Sequence, residues 1–174
     1  MSDEGRDIDT TTPGRAWTFG DDIDTDQIIP SRFLVSSDPD ELGEHAFNDL
    51  RPEFAESVAS GDFVVGGHNF GSGSSREHAP VSLLGAGVDG IVAQSFARIF
   101  FRNGINIGLP VLICPDADRI SDGDEISLRL DEGVVYNHTT DEQYDAEALA
   151  PFLQTLVDNG GLKAHTRRKI AESQ

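Results

Sequence analysis

Apolar and polar positions along this chain follow two different periods. Arg15-Ala16-Trp17-Thr18-Phe19 alternates with the two-residue period of a half-buried strand. Asp62-Phe63-Val64-Val65-Gly66-Gly67 is instead a continuous aromatic and β-branched run closed by glycines, the pattern of a buried strand ending in a turn. Gly90-Ile91-Val92-Ala93 and Leu109-Pro110-Val111-Leu112-Ile113 predict two more strands of that kind. Between them the period changes. Residues 78–87 carry apolar side chains at helical spacing and stop at glycine, and residues 95–104 place theirs on one helical face and stop at Asn103-Gly104. Asp38-Pro39-Asp40-Glu41 opens a short helix through Ala46-Phe47, and Pro52 starts another through Val58. Two runs around Asp131-Glu132-Gly133 predict a hairpin over 125–130 and 134–137, and a helix from about 146 to 157 closes the chain. Strand and helix in alternation, followed by a hairpin, predict an α/β domain with a mixed sheet. Residues 1–13, rich in Ser, Asp and Thr, read as a disordered extension, and 14–174 as one domain of ordinary size.

Charge narrows the function classes. The net charge is −18, from 31 acidic and 13 basic residues, and the pI is near 4.3. Such a field repels nucleic acid and anionic membrane surfaces, so neither is an expected partner. It also opposes a negatively charged small ligand, which would need local positive potential; Arg32, Arg76, Arg98 and Arg102 fall near predicted loops and are the candidates. Only two of the 13 basic residues, Lys163 and Lys169, are lysines, and the acids are scattered. That composition resembles proteins of high-salt cytoplasm, where screening makes self-repulsion tolerable. The lack of a long apolar run or signal-like start predicts a soluble cytoplasmic protein. The one cysteine, Cys114, excludes a disulfide framework and by itself holds neither an iron–sulfur cluster nor a structural zinc.

The run Gly71-Ser72-Gly73-Ser74-Ser75-Arg76-Glu77-His78 lies between a predicted strand and a predicted helix. Its glycines allow a tight turn and close approach of the backbone to a ligand. Ser74 or Ser75 can cap the helix and present N–H donors to an anion, and Arg76 adds a planar fork suited to a carboxylate. A flexible loop before a Ser-capped helix, with Arg76 paired to a surface acid, fits the spacing equally well. Other chemistries fit less. The loop lacks Gly-x-Ser-x-Gly, and no Gly-Lys-Ser/Thr phosphate loop is present. Histidines 45, 68, 78, 138 and 165 have neither metalloprotease nor zinc-finger spacing. In the acidic run 21–26, counting from Asp22, Gln27 and Phe33 stand where a calcium loop needs Gly and Glu. Those aspartates read as a solvated loop, or as one in which Thr25 or Asp26 orients a residue of the serine loop.

Three segments together resemble a known family: Asp21-Asp22-Ile23-Asp24-Thr25-Asp26-Gln27-Ile28-Ile29-Pro30, Gly67 through Ala79 around the serine loop, and Ser95-Phe96-Ala97-Arg98-Ile99-Phe100 with Gly108-Leu109-Pro110. In this order they resemble the swivel domain of the aconitase superfamily, whose free-standing form is the small subunit of 3-isopropylmalate dehydratase. The resemblance implies an α/β swivel fold with a barrel-like mixed sheet flanked by helices. It implies a hydro-lyase of leucine biosynthesis, active only as a heterodimer with a large subunit that carries the [4Fe-4S] cluster. It assigns Ser74 as the base, Asp26 as an acidic neighbour of the active site, and Ser75 and Arg76 as contacts to a substrate carboxylate. Arg32 is a further carboxylate candidate, and Val35 the position that suits an isopropyl group. A homoaconitase-like or methylmalate/citraconate hydro-lyase shares these features, and a non-catalytic anion-binding module reusing the loop is the rival of another class.

Overall fold

The computed structural model describes residues 8–74 and 76–172. Four strands, β1 (Gly14–Thr18), β2 (Phe63–Gly66), β3 (Gly90–Ala93) and β4 (Val111–Ile113), lie parallel in the order β4-β3-β2-β1. Every residue of β2 and β3 is buried, which is why both read as continuous apolar runs and not as alternations. Beyond β1 the sheet turns antiparallel through β5 (Glu125–Arg129), β6 (Val134–Asn137) and β7 (Glu142–Asp145), giving a curled, seven-stranded mixed sheet. The α/β expectation is met. Strand β7, Glu-Gln-Tyr-Asp with only Tyr144 buried, has no apolar pattern to read, and its exposed charges suit a sheet edge.

Among the described residues seven helices complete the fold: α1 (Thr25–Ile28), α2 (Pro39–Gly43), α3 (Glu53–Ser57), α4 (His78–Ala86), α5 (Arg98–Asn106), α6 (Pro151–Asp158) and α7 (Leu162–Glu172). Helix α2 ends at Gly43, short of the expected Ala46-Phe47, where the chain is in turns and Phe47 takes a left-handed φ of 55°. Two more depart from the expected bounds for identifiable reasons. Helix α5 starts three residues late, because residues 95–97 stay extended to pair with Phe70. It then continues through Asn103-Gly104, since Gly104 lets the helix approach Val111, and the left-handed residue that follows it is Gly108, φ 85°. Helix α6 starts at Pro151, because the N–H groups of Ala146, Glu147 and Leu149 donate to the carbonyls of Gly133, Ile113 and Leu130 (2.8, 2.8 and 2.9 Å) and hold that stretch extended. Helix α7, with no buried residue, has no core-facing stripe in the sequence.

Of the expected N-terminal extension, residues 1–7 lie outside the described residues. Thr10, however, is buried, donates to the Leu128 carbonyl (3.2 Å) and accepts from the Leu128 N–H (2.7 Å), so ordered chain begins before Gly14. Among the described residues no helix is long and apolar enough to cross a membrane.

One core cluster joins all seven strands. Trp17 meets Phe54 edge-on (5.2 Å), Phe19 stacks on Phe47 (4.0 Å), and the Arg15 and Arg51 guanidinium groups lie over the Trp17 ring at 3.7 and 4.6 Å. Arg51 is held there by two bonds to the Asp122 carboxylate (2.9 and 2.8 Å), which also accepts from the Thr18 N–H (2.9 Å). The Arg51 bonds pull the Asp122 carboxyl down to about 2 from its ordinary 3.8. A depressed carboxyl stabilises the fold fully above its unfolded value and loses that contribution as pH falls from about 4 towards about 2. Asp122→Asn is therefore expected to cost about 1 kcal/mol at pH 7, a figure discounted for solvent screening of this surface pair. The difference between urea midpoints of parent and variant at pH 7 should narrow steadily as pH falls from about 4 to about 2; a gap as large at pH 2 as at pH 7 would refute the ion pair as its source.

Candidate functional site

The parallel strands do not end where their regular pairing ends. Past the carboxyl end of β1, the Asp22 N–H donates to the His68 carbonyl (2.8 Å), Gly71 N–H to Ile23 (2.7 Å) and Thr25 N–H to Ser72 (2.9 Å). On the other side, Phe70 N–H donates to Ser95 (3.0 Å) and Ala97 N–H to Phe70 (2.9 Å). Two isolated bridges, Asp24 with Ser72 and Phe70 with Phe96, thus prolong the sheet into three adjacent loops. Gly71 has to be glycine here on two counts: its φ is +84°, and a Cβ would run into the Phe100 ring.

The aspartates of the acidic run tie these loops together. Asp21 accepts from the His68 N–H (2.8 Å), Asp22 from the Asn69 amide (3.2 Å), and Asp24 caps α1 in a reciprocal capping box with Gln27. Among the described residues no cluster of three or more His, Cys, Asp or Glu is placed to hold a metal ion. Thr25 Oγ1 donates to the Ser74 carbonyl (3.0 Å), which also accepts from the Arg76 N–H (2.9 Å). This is the orienting role the sequence left open for Thr25. Ser74 does not serve as the expected cap: Glu77 is the N-cap of α4 and makes no side-chain cap bond, so Ser74 belongs to the loop and not to the helix.

A cleft of about 350 Å³ opens over this junction, lined by Thr25, Ser74, Arg76, Arg98, Ile99 and Asn103 among others. Ser74 is exposed. Among the described residues Arg76 Nη1 is buried without a hydrogen-bond partner, and it lies 3.6 Å from Asp26 Oδ1. Asp26 Oδ1 in turn accepts from the Ser31 N–H (3.0 Å), so one carboxylate faces Arg76 and holds the start of the 3₁₀ turn Ser31–Phe33. An orphaned guanidinium nitrogen is a costly state that a bound carboxylate would relieve.

The structure thus brings Ser74, Arg76 and Asp26 together. Ser75 lies outside the described residues. Arg32 is drawn elsewhere: its guanidinium forms a forked pair with Asp49, lowering that carboxyl to about 2, and stacks over Phe33 (4.5 Å), which stacks on His45 (4.0 Å). It does not line the cleft. Val35, in the turn after that 3₁₀ segment, does not line it either and is 92% exposed. The sequence reading missed Asn103, taken as a helix stop, and placed Arg98 only near a loop. Their signal was tertiary, since nothing local says that α5 begins beside the serine loop.

Cys114 is buried, its Sγ donates weakly to the Asp145 carbonyl (3.5 Å), and burial pushes the thiol up to about 11. A cluster ligand must be a thiolate, so this residue does not fit one.

This architecture is that of the aconitase C-terminal domain, whose family matches residues 37–116. Across nearly the whole chain the similarity is narrower. The 3-isopropylmalate dehydratase small subunit of Methanosarcina mazei is 53% identical over 159 residues, spanning 91% of this chain and 98% of that protein. Small subunit 1 of Archaeoglobus fulgidus is 56% identical over 149 residues, 86% and 92% of the two chains. The crystal structure of 3-isopropylmalate dehydratase (leuD) from Methanocaldococcus jannaschii superposes with a TM-score of 0.87 at 39% identity, covering 92% of this chain and 96% of that one. The chain belongs to the family of 3-isopropylmalate dehydratase small subunits.

Proposed function

We propose that this chain, joined to a large subunit, interconverts 2- and 3-isopropylmalate by dehydration and rehydration, a hydro-lyase step of leucine biosynthesis. The observation that carries the reading at the level of the site is the cleft in which Ser74 and the orphaned Arg76 Nη1 meet. Arg76 binds a substrate carboxylate, with Ser75 beside it, and Asp26 holds the guanidinium in position. Ser74 Oγ, as the alkoxide, takes the proton from the carbon next to that carboxylate. The hydroxyl on the neighbouring carbon takes a proton from an acid on the large-subunit side of the closed site and leaves as water, and addition of water in the opposite sense returns both protons and completes the isomerisation. A serine alkoxide is too basic to persist in open solvent, so the loop must stabilise it with Arg76 and N–H donors in a site closed to water.

The cleft is open in the isolated chain, and the apolar side chains of Ile99 at its edge and Val35 on the neighbouring turn are 48% and 92% exposed. These features support a large subunit as the cover. Because Cys114 does not fit a cluster ligand, the [4Fe-4S] cluster is assigned to that subunit. Val35 is the residue of the turn after α1 that would meet the isopropyl group. The scattered acidic surface is read as an adaptation to a salty cytoplasm.

Turnover of 2-isopropylmalate is expected from this chain mixed anaerobically with a cluster-loaded large subunit, and from neither chain alone. Ser74→Ala should lower kcat by 10³-fold or more on the order of a lost catalytic base, with assembly intact; undiminished turnover would remove Ser74 from that role and favour a non-catalytic anion-binding loop. Val35→Arg should shift preference from isopropylmalate towards a tricarboxylate such as homoaconitate, and an unchanged ratio of kcat/KM would sink the assignment of Val35. On the salt reading, Tm should rise by roughly 10 °C or more between 0.1 and 3 M KCl, as screening relieves self-repulsion; a flat profile would count against it.

A further inference from the structure

Among 13 basic residues facing 31 acids, a partnerless arginine is informative. Arg15 and Arg51 pair with Asp122, Arg32 with Asp49 and Arg119 with Glu142, while Arg76 lies 3.6 Å from Asp26. Arg98 makes no ion pair or side-chain hydrogen bond among the described residues, and neither does the Asn103 amide; Arg102 on the same helix is likewise unpaired but does not line the cleft. Arg98 and Asn103 both line it.

The topology explains how Arg98 arrives there. Strands β2 and β3 are parallel neighbours, each followed by a loop and a helix, α4 after β2 and α5 after β3. The bridge between Phe70 and Phe96 fastens the two loops, so the first residue of α5 comes to the same cleft as the serine loop. That helix also begins without a side-chain cap. Two guanidinium groups, Arg76 and Arg98, are thus delivered to one small cleft by consecutive crossovers.

The substrate read for this site carries two carboxylates, and Arg76 accounts for one. Arg32, the other candidate in the sequence, has its fork occupied by Asp49. We infer that Arg98 holds the second carboxylate of the substrate, with the Asn103 side-chain amide as an adjacent donor. The inference rests on the reading of the cleft as the site of a hydroxy-dicarboxylate. A guanidinium with an unengaged fork at the cleft wall matches a carboxylate in geometry and charge, and an amide N–H serves its remaining lone pairs. In a chain of net charge −18, such paired cations are also what makes the cleft hospitable to a dianion.

The test uses the assembled enzyme and four variants of this chain. Arg98→Gln is expected to raise KM for 2-isopropylmalate about 10- to 100-fold, the loss of one charge-assisted hydrogen-bonded contact, with kcat changed far less. Arg98→Lys should recover part of that loss. Arg102→Gln removes the same charge from the same helix, outside the residues lining the cleft, and should leave KM at the parent value. Ser74→Ala reports separately on the base through kcat, and subunit association is measured by sedimentation for every variant. A KM at Arg98→Gln equal to the parent's overturns the inference, whether association is unchanged or is weakened, the latter making Arg98 a contact to the large subunit. An equal rise at Arg102→Gln overturns it too, since the effect is then the field of the helix. If Ser74→Ala keeps full turnover while Arg98→Gln raises KM, the proposed base fails and the carboxylate contact stands.

Discussion

Everything that this chain presents to a ligand depends on a few backbone hydrogen bonds made beyond the ends of its strands. The Gly71 and Thr25 N–H groups lock the acidic segment to the serine loop, and Phe70 and Ala97 lock that loop to the start of α5. Loops at the carboxyl ends of parallel strands are the usual place for ligand sites in α/β proteins. Here those loops are not left mobile. They are stitched to one another as a continuation of the sheet, so Thr25, Ser74, Arg76 and Arg98 inherit their relative positions from a buried, two-sided β framework. The glycine at 71 is the local condition for this arrangement, because any side chain there would displace Phe100 and with it the helix that carries Arg98.

Charge is divided between two tasks. Most acidic residues near the site act on backbone: Asp21 and Asp24 satisfy N–H groups, while Asp26 holds Ser31 and faces Arg76. Arg15, Arg51 and Asp122 do the same for the core, covering the Trp17 ring with cations that a carboxylate pins in place. Where Asp122 and Asp49 fill the guanidinium forks of Arg51 and Arg32, those two arginines are not available to a ligand. Among the described residues Arg98 at the cleft is left with no acid partner, against the sign of the whole molecule.

Asp26 connects two parts that the sequence treats separately. Its Oδ1 lies 3.6 Å from Arg76 and accepts from Ser31, which begins the turn leading to Val35. One carboxylate thus touches both the Arg76 guanidinium and the start of the segment that carries the exposed Val35.

The sheet, the helices after β2 and β3, and the identity of the serine loop were legible in the sequence because each rests on local chemistry. Buried strands need apolar runs, α4 needs its glycine stop, and the loop needs glycines with hydroxyls and a guanidinium. The three motifs also carried the family resemblance. Strand β7 and helix α7 were not legible, since one buried tyrosine and no buried residue leave no pattern to read. The bounds of α5 and α6 were misjudged because extended pairing with Phe70, Gly133 and Ile113 outcompetes local helix formation. By itself, then, the sequence determined which residues are chemically equipped, including Ser74, Arg76 and Asp26. Only the tertiary structure decided which of them meet. It spent Arg32 on Asp49, left Val35 in the open, and brought Arg98 and Asn103 to the cleft, because hydrogen bonds between segments some 17 to 50 residues apart set those distances and no local pattern encodes them.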